Sequence, residues 1–254
     1  MRTAGKCCKW GGRMITLCGR SICGGIALGK LLIFKDREYV INNSHTENIE
    51  REFERFDKAA NAAHRELELL YQKANDEIGH DTAMIFSIHQ IMLADEDYVK
   101  AVKSHIKLEK INAETAVYKT CREFMDIFDK MDDSYMRARK SDIRDISELL
   151  IKILTGVREK KICCEEPVII AAHRLSPAQT LGIDKEKTLA LITEKGSSNS
   201  HAAIMARTLN IPAVTGALGI TGGGFGGKNT IVDGFNGAVY IEPDEETLKR
   251  LTNK

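Results

Sequence analysis

From Ile49 onward apolar side chains recur at alternating intervals of four and three residues: Ile49, Phe53, Phe56, Ala60, Ala63, Leu67, Leu70, Ala74 and Ile78. That is a heptad seam along one long helix, the pattern of helices packed side by side at a shallow angle. A second apolar face runs through Ile85, Phe86, Ile88, Met92 and Leu93, and a third through Val117, Cys121, Phe124, Ile127 and Phe128. A fourth runs through Ile143, Ile146, Leu149, Leu150, Ile153 and Leu154 and stops at Gly156, a natural C-cap. Amphipathic segments joined by short polar links predict a helical bundle over residues 45–156. Asn42-Asn43-Ser44 supplies the start signal for its first helix.

Strand grammar flanks this block on both sides. Before it, Ile15 to Cys18 and Leu31 to Phe34 are short β-type runs around a glycine-rich turn. After it come Pro167 to Ala172 and Thr188 to Thr193, with a helix start at Ser176-Pro177 between them. Thr230 to Ile241 reads as a β-hairpin around a glycine and asparagine turn. The simplest architecture joins 14–40 and 160–242 in one α/β domain and inserts the bundle between them. Residues 243–254 then begin a linker helix, and the basic, small-residue-rich stretch 1–13 is expected to be a disordered tail.

Composition removes several classes. The formal net charge is +1 and no basic run interleaves with aromatics, which argues against nucleic-acid binding. No apolar run is long enough to cross a bilayer, so membrane insertion is not expected. Seven cysteines, an odd number with no CxxC pair, suit reduced thiols and a cytoplasmic setting. Gly222 to Asn229 nearly matches a nucleotide P-loop, but it ends in Asn229 where a hydroxyl is needed and runs into strand formers where a helix is required. A flexible surface loop is the expectation there.

The residues with chemical potential lie in Gly196 to Val214. Ser197, Ser198, Asn199 and Ser200 are all helix-capping types, because their side-chain oxygens satisfy unpaired first-turn N–H groups. His201 follows at the mouth of a short helix with an apolar face, ended by Asn210 and Pro212. A neutral imidazole there is a nucleophile beside an anion site, with phosphate the natural candidate. A buried histidine that helps cap a core helix is the plainer reading, and spacing alone leaves both open.

This stretch resembles the phosphohistidine signature of Enzyme I, the phosphoenolpyruvate-protein phosphotransferase family of the bacterial sugar phosphotransferase system, within the PEP-utilising enzymes. Ser200-His201, Ile204 to Arg207 and Ile211 to Ala213 match its usual form. Ser197, Ser198, Asn199 and Ala202 depart from it, and Ser198 replaces the family's arginine. Ser21 to Lys30 resembles the family's amino-terminal Gly-Ile-Ala signature. Ile85-Phe86, His89, Met92-Leu93 and Asp95 resemble one of its helices; Tyr135-Met136, Arg139, Asp142 to Ile146 and Leu149-Leu150 resemble another. The four motifs fall in the family's order and cover about residues 14–252.

The resemblance implies a swivelling phosphohistidine domain interrupted by a helical domain that docks the carrier protein HPr. It implies that His201 carries a phosphoryl group, which requires an unprotonated ring nitrogen. Gly196, Ser198, Asn199 and Ser200 would support that site. Ser176 stands where the family has a threonine that hydrogen-bonds the histidine, and Arg174, in place of a family aspartate, is expected to offset the arginine missing at 198. His89, Met92, Leu93, Met136 and Arg139 match positions facing HPr. No metal or cofactor is expected in this chain; magnesium and phosphoenolpyruvate would belong to a separate C-terminal barrel. Two alternatives accompany this reading: an HPr-binding module whose chemistry is impaired, or the swivelling domain of another PEP-linked phosphotransfer system.

Overall fold

The computed structural model describes residues 14–133, 136, 137, 139–198 and 200–252; the expected tail, Tyr135 and Asn199 lie outside these. The described residues divide into two compact units, one made of the chain up to Asp36 together with Lys161 onward, the other of Arg37–Lys160.

The first unit is a mixed eight-stranded sheet. Its strands are β1 (Ile15–Cys18), β2 (Arg20–Cys23), β3 (Ile26–Phe34), β4 (Val168–Ala172), β5 (Thr188–Thr193), β6 (Ala213–Thr215), β7 (Asn229–Asp233) and β8 (Ala238–Ile241). They lie in the order β1-β8-β7-β3-β4-β5-β6-β2. Strands β3, β4, β5 and β6 run parallel, and β7, β8, β1 and β2 pair antiparallel to their neighbours. The expected hairpin over 230–241 is therefore present as β7 and β8.

The two ends of that sheet, β1 and β2, are separated by the single residue Gly19. In a flat sheet the outer strands would stand about 34 Å apart, seven spacings of roughly 4.8 Å. One linking residue spans only about 7 Å between its neighbours. The sheet must therefore curl until its two edges meet. Gly19 sits at that junction: its N–H donates to Gly237 O at 2.8 Å, and a Cβ there would lie 2.5 Å from Thr215 O. Only glycine fits.

Curling gives the sheet an inside and an outside, and side chains alternate between them. Inside lie Leu17, Leu31, Ile169, Ala171, Ala190, Ile192, Val214, Val232 and Val239. Outside lie Ile170, Ala172, Leu191 and Ala213, packed with Ala203 and Ala206 of a covering helix. Parallel strands buried on both faces read as continuous apolar runs, which is how 168–172 and 188–193 appear in sequence. The glycine-rich 222–228 loop lies at the surface of this unit as expected, with Gly222, Gly223, Gly224, Gly226 and Gly227 exposed, but Phe225 anchors it in the interior cluster and Gly227 N–H donates to Leu31 O at 2.7 Å.

The second unit holds α1 (Ile49–Glu77), α2 (His80–Leu93), α3 (Glu96–Glu109), α4 (Ala113–Asp129) and α5 (Lys140–Thr155). Its core includes Phe56, Ala63, Leu67, Phe86, Leu93, Tyr98, Val102, Ile106, Val117, Ile146 and Leu150. The α1 stripe differs from the strict heptad. Buried positions are Glu52, Phe56, Ala59, Ala63, Leu67 and Ala74, while Ile49, Phe53 and Leu70 are half-buried. Their spacing follows the 3.6-residue turn of a straight helix, whose stripe drifts from a 3.5 repeat. Glu52 is held inside by Arg55 at 2.7 Å and by accepting from the Ala113 amide at the start of α4 at 2.9 Å.

Helix α1 starts at Asn48, whose side chain accepts from Arg51 N–H, not at the expected Asn42-Asn43-Ser44. That earlier stretch is held extended. Asn112 Nδ2 donates to Asn42 O at 2.6 Å and to Ser44 Oγ at 2.9 Å, and Thr46 N–H donates to Lys110 O at 2.8 Å. Backbone groups satisfied across the chain are withdrawn from a helix. Gly156 caps α5 in the left-handed conformation at φ 71°, as expected.

The remaining helices belong to the first unit: α6 (Pro177–Leu181), α7 (His201–Thr208) and α8 (Glu245–Thr252). Helix α8 is joined to this unit through Thr247 and Leu251, both buried.

Candidate functional site

Strand β5 ends in Thr193, and the seven residues 194–200 carry the chain to α7. The ladder continues past the strand ends. Glu194 N–H donates to Ala172 O at 3.0 Å and Lys195 N–H to His173 O at 2.9 Å. The Glu194 carboxylate accepts from Thr221 N–H at 2.9 Å and Thr221 Oγ1 at 2.8 Å, and lies 2.7 Å from His173 Nδ1. Burial pushes its carboxyl up, but the Thr221 amide, His173 and the Thr221 hydroxyl together hold it below the usual carboxylate range.

Gly196 then turns the chain with φ 148°, a conformation open to glycine. Three hydroxyls crowd its missing side chain: a Cβ there would lie 3.1 Å from Thr215 Oγ1, 3.4 Å from Ser200 Oγ and 3.6 Å from Thr193 Oγ1. The two threonines form a directed relay. Thr193 Oγ1 donates to Thr215 Oγ1 at 2.9 Å, and Thr215 Oγ1 donates to Gly196 O at 3.3 Å. Both threonines are buried.

The loop closes on the helix by two further ties. Ser200 is the N-cap of α7, its Oγ accepting from Ala203 N–H at 3.4 Å, while its own N–H donates to Ser197 O at 3.1 Å. Arg207, one helical turn and a half further on, reaches back: Nη2 donates to Ser198 O at 2.7 Å and Nε to Ile22 O at 3.2 Å. His201 is thus the first residue of α7, half-buried, at the end where first-turn amides and the helix dipole favour negative charge.

The other expected supporting residues fall as follows. Gly196 and Ser200 belong to the pinned turn, Ser198 contributes its carbonyl to Arg207, and Asn199 is outside the described residues. Ser176 is the N-cap of α6 in a full capping box: its Oγ accepts from Gln179 N–H at 3.0 Å, and Gln179 Oε1 accepts from Ser176 N–H at 2.9 Å. Helix α6 packs against α7, and Arg174 is half-buried just beyond the end of β4. Capping uses Ser176 Oγ as an acceptor, which is compatible with its O–H donating to a ring nitrogen.

In the helical unit, the residues expected to face a partner divide. His89 is 2% exposed and Leu93 3%. His89 Nε2 lies 3.7 Å from Asp142 Oδ1, and Arg139 Nη1 lies 3.1 Å from Asp142 Oδ2, which ties α2 to the start of α5. Met92, Met136 and Arg139 are half-buried, and the exposed apolar side chains of α2 are Met84 and Ile91. The relay threonines and the back-reach of Arg207 were not anticipated. A threonine ending each of two neighbouring parallel strands, Thr193 and Thr215, was the available signal.

A mixed sheet whose chain is interrupted after its third strand by a separate helical unit, and which carries a capped histidine-first helix, defines a class: the amino-terminal module of enzymes that use phosphoenolpyruvate. The family model "PEP-utilising enzyme, N-terminal" matches residues 18–139, and "PEP-utilising enzyme, mobile domain" matches 164–237. A solution structure of Enzyme I (nEIt) superposes with TM-score 0.72 at 33% identity, covering 93% of this chain and 97% of that one. The N-terminal domain of Enzyme 1 - Nitrogen shares the fold at TM-score 0.56 and 23% identity, covering 93% and 98% of the two chains. The phosphoenolpyruvate-protein phosphotransferase of Bacillus subtilis (strain 168) is 37% identical over 242 residues. The chain belongs to the Enzyme I family of PEP-utilising enzymes and corresponds to its N-terminal part. The match takes in 95% of this chain and 42% of the Bacillus relative. No helix among the described residues is long and apolar enough to cross a membrane.

Proposed function

We propose that this chain is a phosphoryl carrier of the phosphoenolpyruvate-dependent sugar phosphotransferase system, holding phosphate on His201 and exchanging it with the histidine of HPr. The observation that supports the reading most directly is the placement of His201 as first residue of α7, behind a loop held by the threonine relay, the Ser200 cap and Arg207. Phosphoryl transfer depends on positioning and charge neutralisation more than on acid-base work.

In the proposed exchange a ring nitrogen of neutral His201 attacks the phosphorus of phospho-HPr. The new N–P bond forms as the old one breaks, and the departing imidazole keeps the bonding electron pair. First-turn amides of α7 would stabilise the phosphoryl oxygens. Ser176 would hold the other ring nitrogen, and Arg174 would supply the positive charge that Ser198 lacks. The helical unit would dock HPr through α2 and the 136–139 segment, with Met92, Met136 and Arg139 joined by the exposed Met84 and Ile91. Phosphoenolpyruvate and magnesium would be handled by the part of the relatives that this chain does not span.

The test is intact-mass analysis after mixing the chain with phospho-HPr, with phosphoenolpyruvate and magnesium in a parallel reaction. An acid-labile phosphoryl adduct from phospho-HPr, lost in His201→Ala while docking persists, is the expected result. Docking without any adduct would overturn the carrier role and leave a binding module.

A further inference from the structure

The turn that joins β7 to β8, Gly234 to Gly237, also clasps the seam where the curled sheet closes. Three hydrogen bonds tie it to the 19–25 segment. Gly19 N–H donates to Gly237 O at 2.8 Å, Ser21 Oγ to Gly234 O at 2.5 Å, and Gly234 N–H to Gly25 O at 2.8 Å. Position 237 has to be glycine: its φ is 69°, and a Cβ there would lie 2.8 Å from both Gly19 O and Ser21 N.

That glycine follows Asn236, the one asparagine of the sequence with glycine after it. The pair has an intrinsic chemistry. With no Cβ on the second residue, its backbone nitrogen meets the least steric opposition in reaching the asparagine side-chain carbonyl carbon. Asn236 is exposed, so water reaches the site.

In the native turn Asp233, itself 1% exposed, holds this chemistry back. Its Oδ2 accepts from Asn236 Nδ2 at 2.7 Å, and its Oδ1 accepts from Asn236 N–H at 3.0 Å and Phe235 N–H at 3.1 Å. The side-chain amide is thus tied to a buried carboxylate, while Gly237 is buried and fixed through its carbonyl. Ring closure has to wait for the turn to open.

We propose that Asn236-Gly237 is a site of spontaneous deamidation, gated by Asp233 and the clasp. When the turn opens, Gly237 N loses its proton to hydroxide and its lone pair forms a bond to Asn236 Cγ. The Cγ–Nδ2 bond breaks, and the nitrogen takes a proton from water and departs as ammonia. The resulting succinimide adds water. Cleavage of its N–Cγ bond gives aspartate at 236; cleavage of the bond from nitrogen to the backbone carbonyl gives isoaspartate, which routes the main chain through Cγ. Either product sets a new carboxylate beside Asp233 in place of a donor, and two carboxylates only accept and repel. The clasp then loosens, and with it β2, whose Ile22 O holds Arg207 at 3.2 Å.

The test is incubation of the whole folded chain at mildly alkaline pH, with peptide mass mapping of amide-to-acid conversion. Asn236 should convert ahead of every other asparagine, faster as pH rises, and more slowly than in a synthetic peptide of residues 230–240. Asp233→Ala should speed conversion about tenfold or more, the loss of hydrogen bonds to a charged group. Ser21→Ala, a milder change that removes one bond of the clasp, should speed it about two- to tenfold. The converted fraction, separated by its added negative charge, should lose amide-exchange protection in β1 and β2. No conversion at Asn236 in the folded chain, a rate equal to the peptide's, indifference to both variants, or unchanged protection after conversion would each overturn the proposal. None of these readouts involves His201, so they stand or fall apart from the carrier role.

Discussion

The relay from Thr193 through Thr215 to Gly196 has a direction, and the direction predicts unequal costs. In Thr215→Val the buried Thr193 hydroxyl loses its acceptor and Gly196 O loses its donor. Gly196 is exposed, so water replaces that second bond at little cost. The unpaired Thr193 donor dominates, and about 1–3 kcal/mol of stability should be lost. In Thr193→Val, Thr215 still donates to Gly196 and lacks only a proton to accept; about 0.5–1 kcal/mol should be lost. With both replaced, no orphaned donor remains, so the double variant should cost less than the sum by roughly 1 kcal/mol or more. Two compact units need not unfold together, so amide hydrogen exchange of β5 and β6 is the appropriate assay. Thr215→Val should cut protection there by about ten- to hundredfold, at 1.4 kcal/mol per tenfold. Exchange with phospho-HPr should slow in parallel, because Gly196 opens the loop to His201, and Thr215→Ser should restore both. Equal costs for the two single variants, or strict additivity, would refute the directed relay.

His105 Nδ1 lies 2.6 Å from Glu109 Oε1 on its own helix and Nε2 3.0 Å from Glu123 Oε2 on α4; the second contact ties α3 to α4, and bonding two ionised carboxylates requires the ring's charge. Burial pushes its pKa down, but the bonds to Glu109 and then Glu123 outweigh this, and the net shift is upward. The stabilisation is therefore fully present below the unfolded histidine pKa and lost as pH rises through the elevated folded value. Urea unfolding of the helical unit should show this fall at neutral to mildly alkaline pH, and His105→Gln should flatten it. Phe225→Ala should cost about 3–4 kcal/mol in denaturant unfolding, since it empties the interior of the curled sheet. Arg207→Gln should lower the rate of phosphoryl exchange more than it lowers the melting temperature, because its bonds to Ser198 O and Ile22 O hold the loop at a partly exposed site.

Much of this architecture could be read from local pattern. Strands β1 and β5 fall on the expected residues, because short apolar runs bounded by turn formers leave few alternatives. Ser176 and Gly156 act as caps where their residue types placed them. Among the described residues, helix α3 was not expected, though it carried its own signal in Asp95 followed by Tyr98, Val102 and Ile106 at three- to four-residue spacing. Where the reading failed, distant partners had won. The extended 42–46 stretch is held by Asn112, seventy residues from Asn42, and Phe225 is drawn out of a glycine-rich loop by the interior of a sheet built from both ends of the chain.

The candidate site divides the same way. Capping serines ahead of His201, and a small apolar helix behind it, follow from the side chains alone: their oxygens satisfy first-turn amides, and the apolar face seeks cover. The threonine relay, the return of Arg207 to Ser198 and the burial of His89 and Leu93 depend on groups brought together by strand order and helix packing. Local sequence set the long helices, the apolar strands β1, β4 and β5, the β7–β8 hairpin and the histidine that opens α7, because those properties arise from neighbours along the chain; the short strands β2 and β6 carry too few residues to declare themselves. Distances between residues that the chain does not place side by side decided which hydroxyls pair, which carbonyls Arg207 reaches and which apolar residues are covered, and these came only with the tertiary structure.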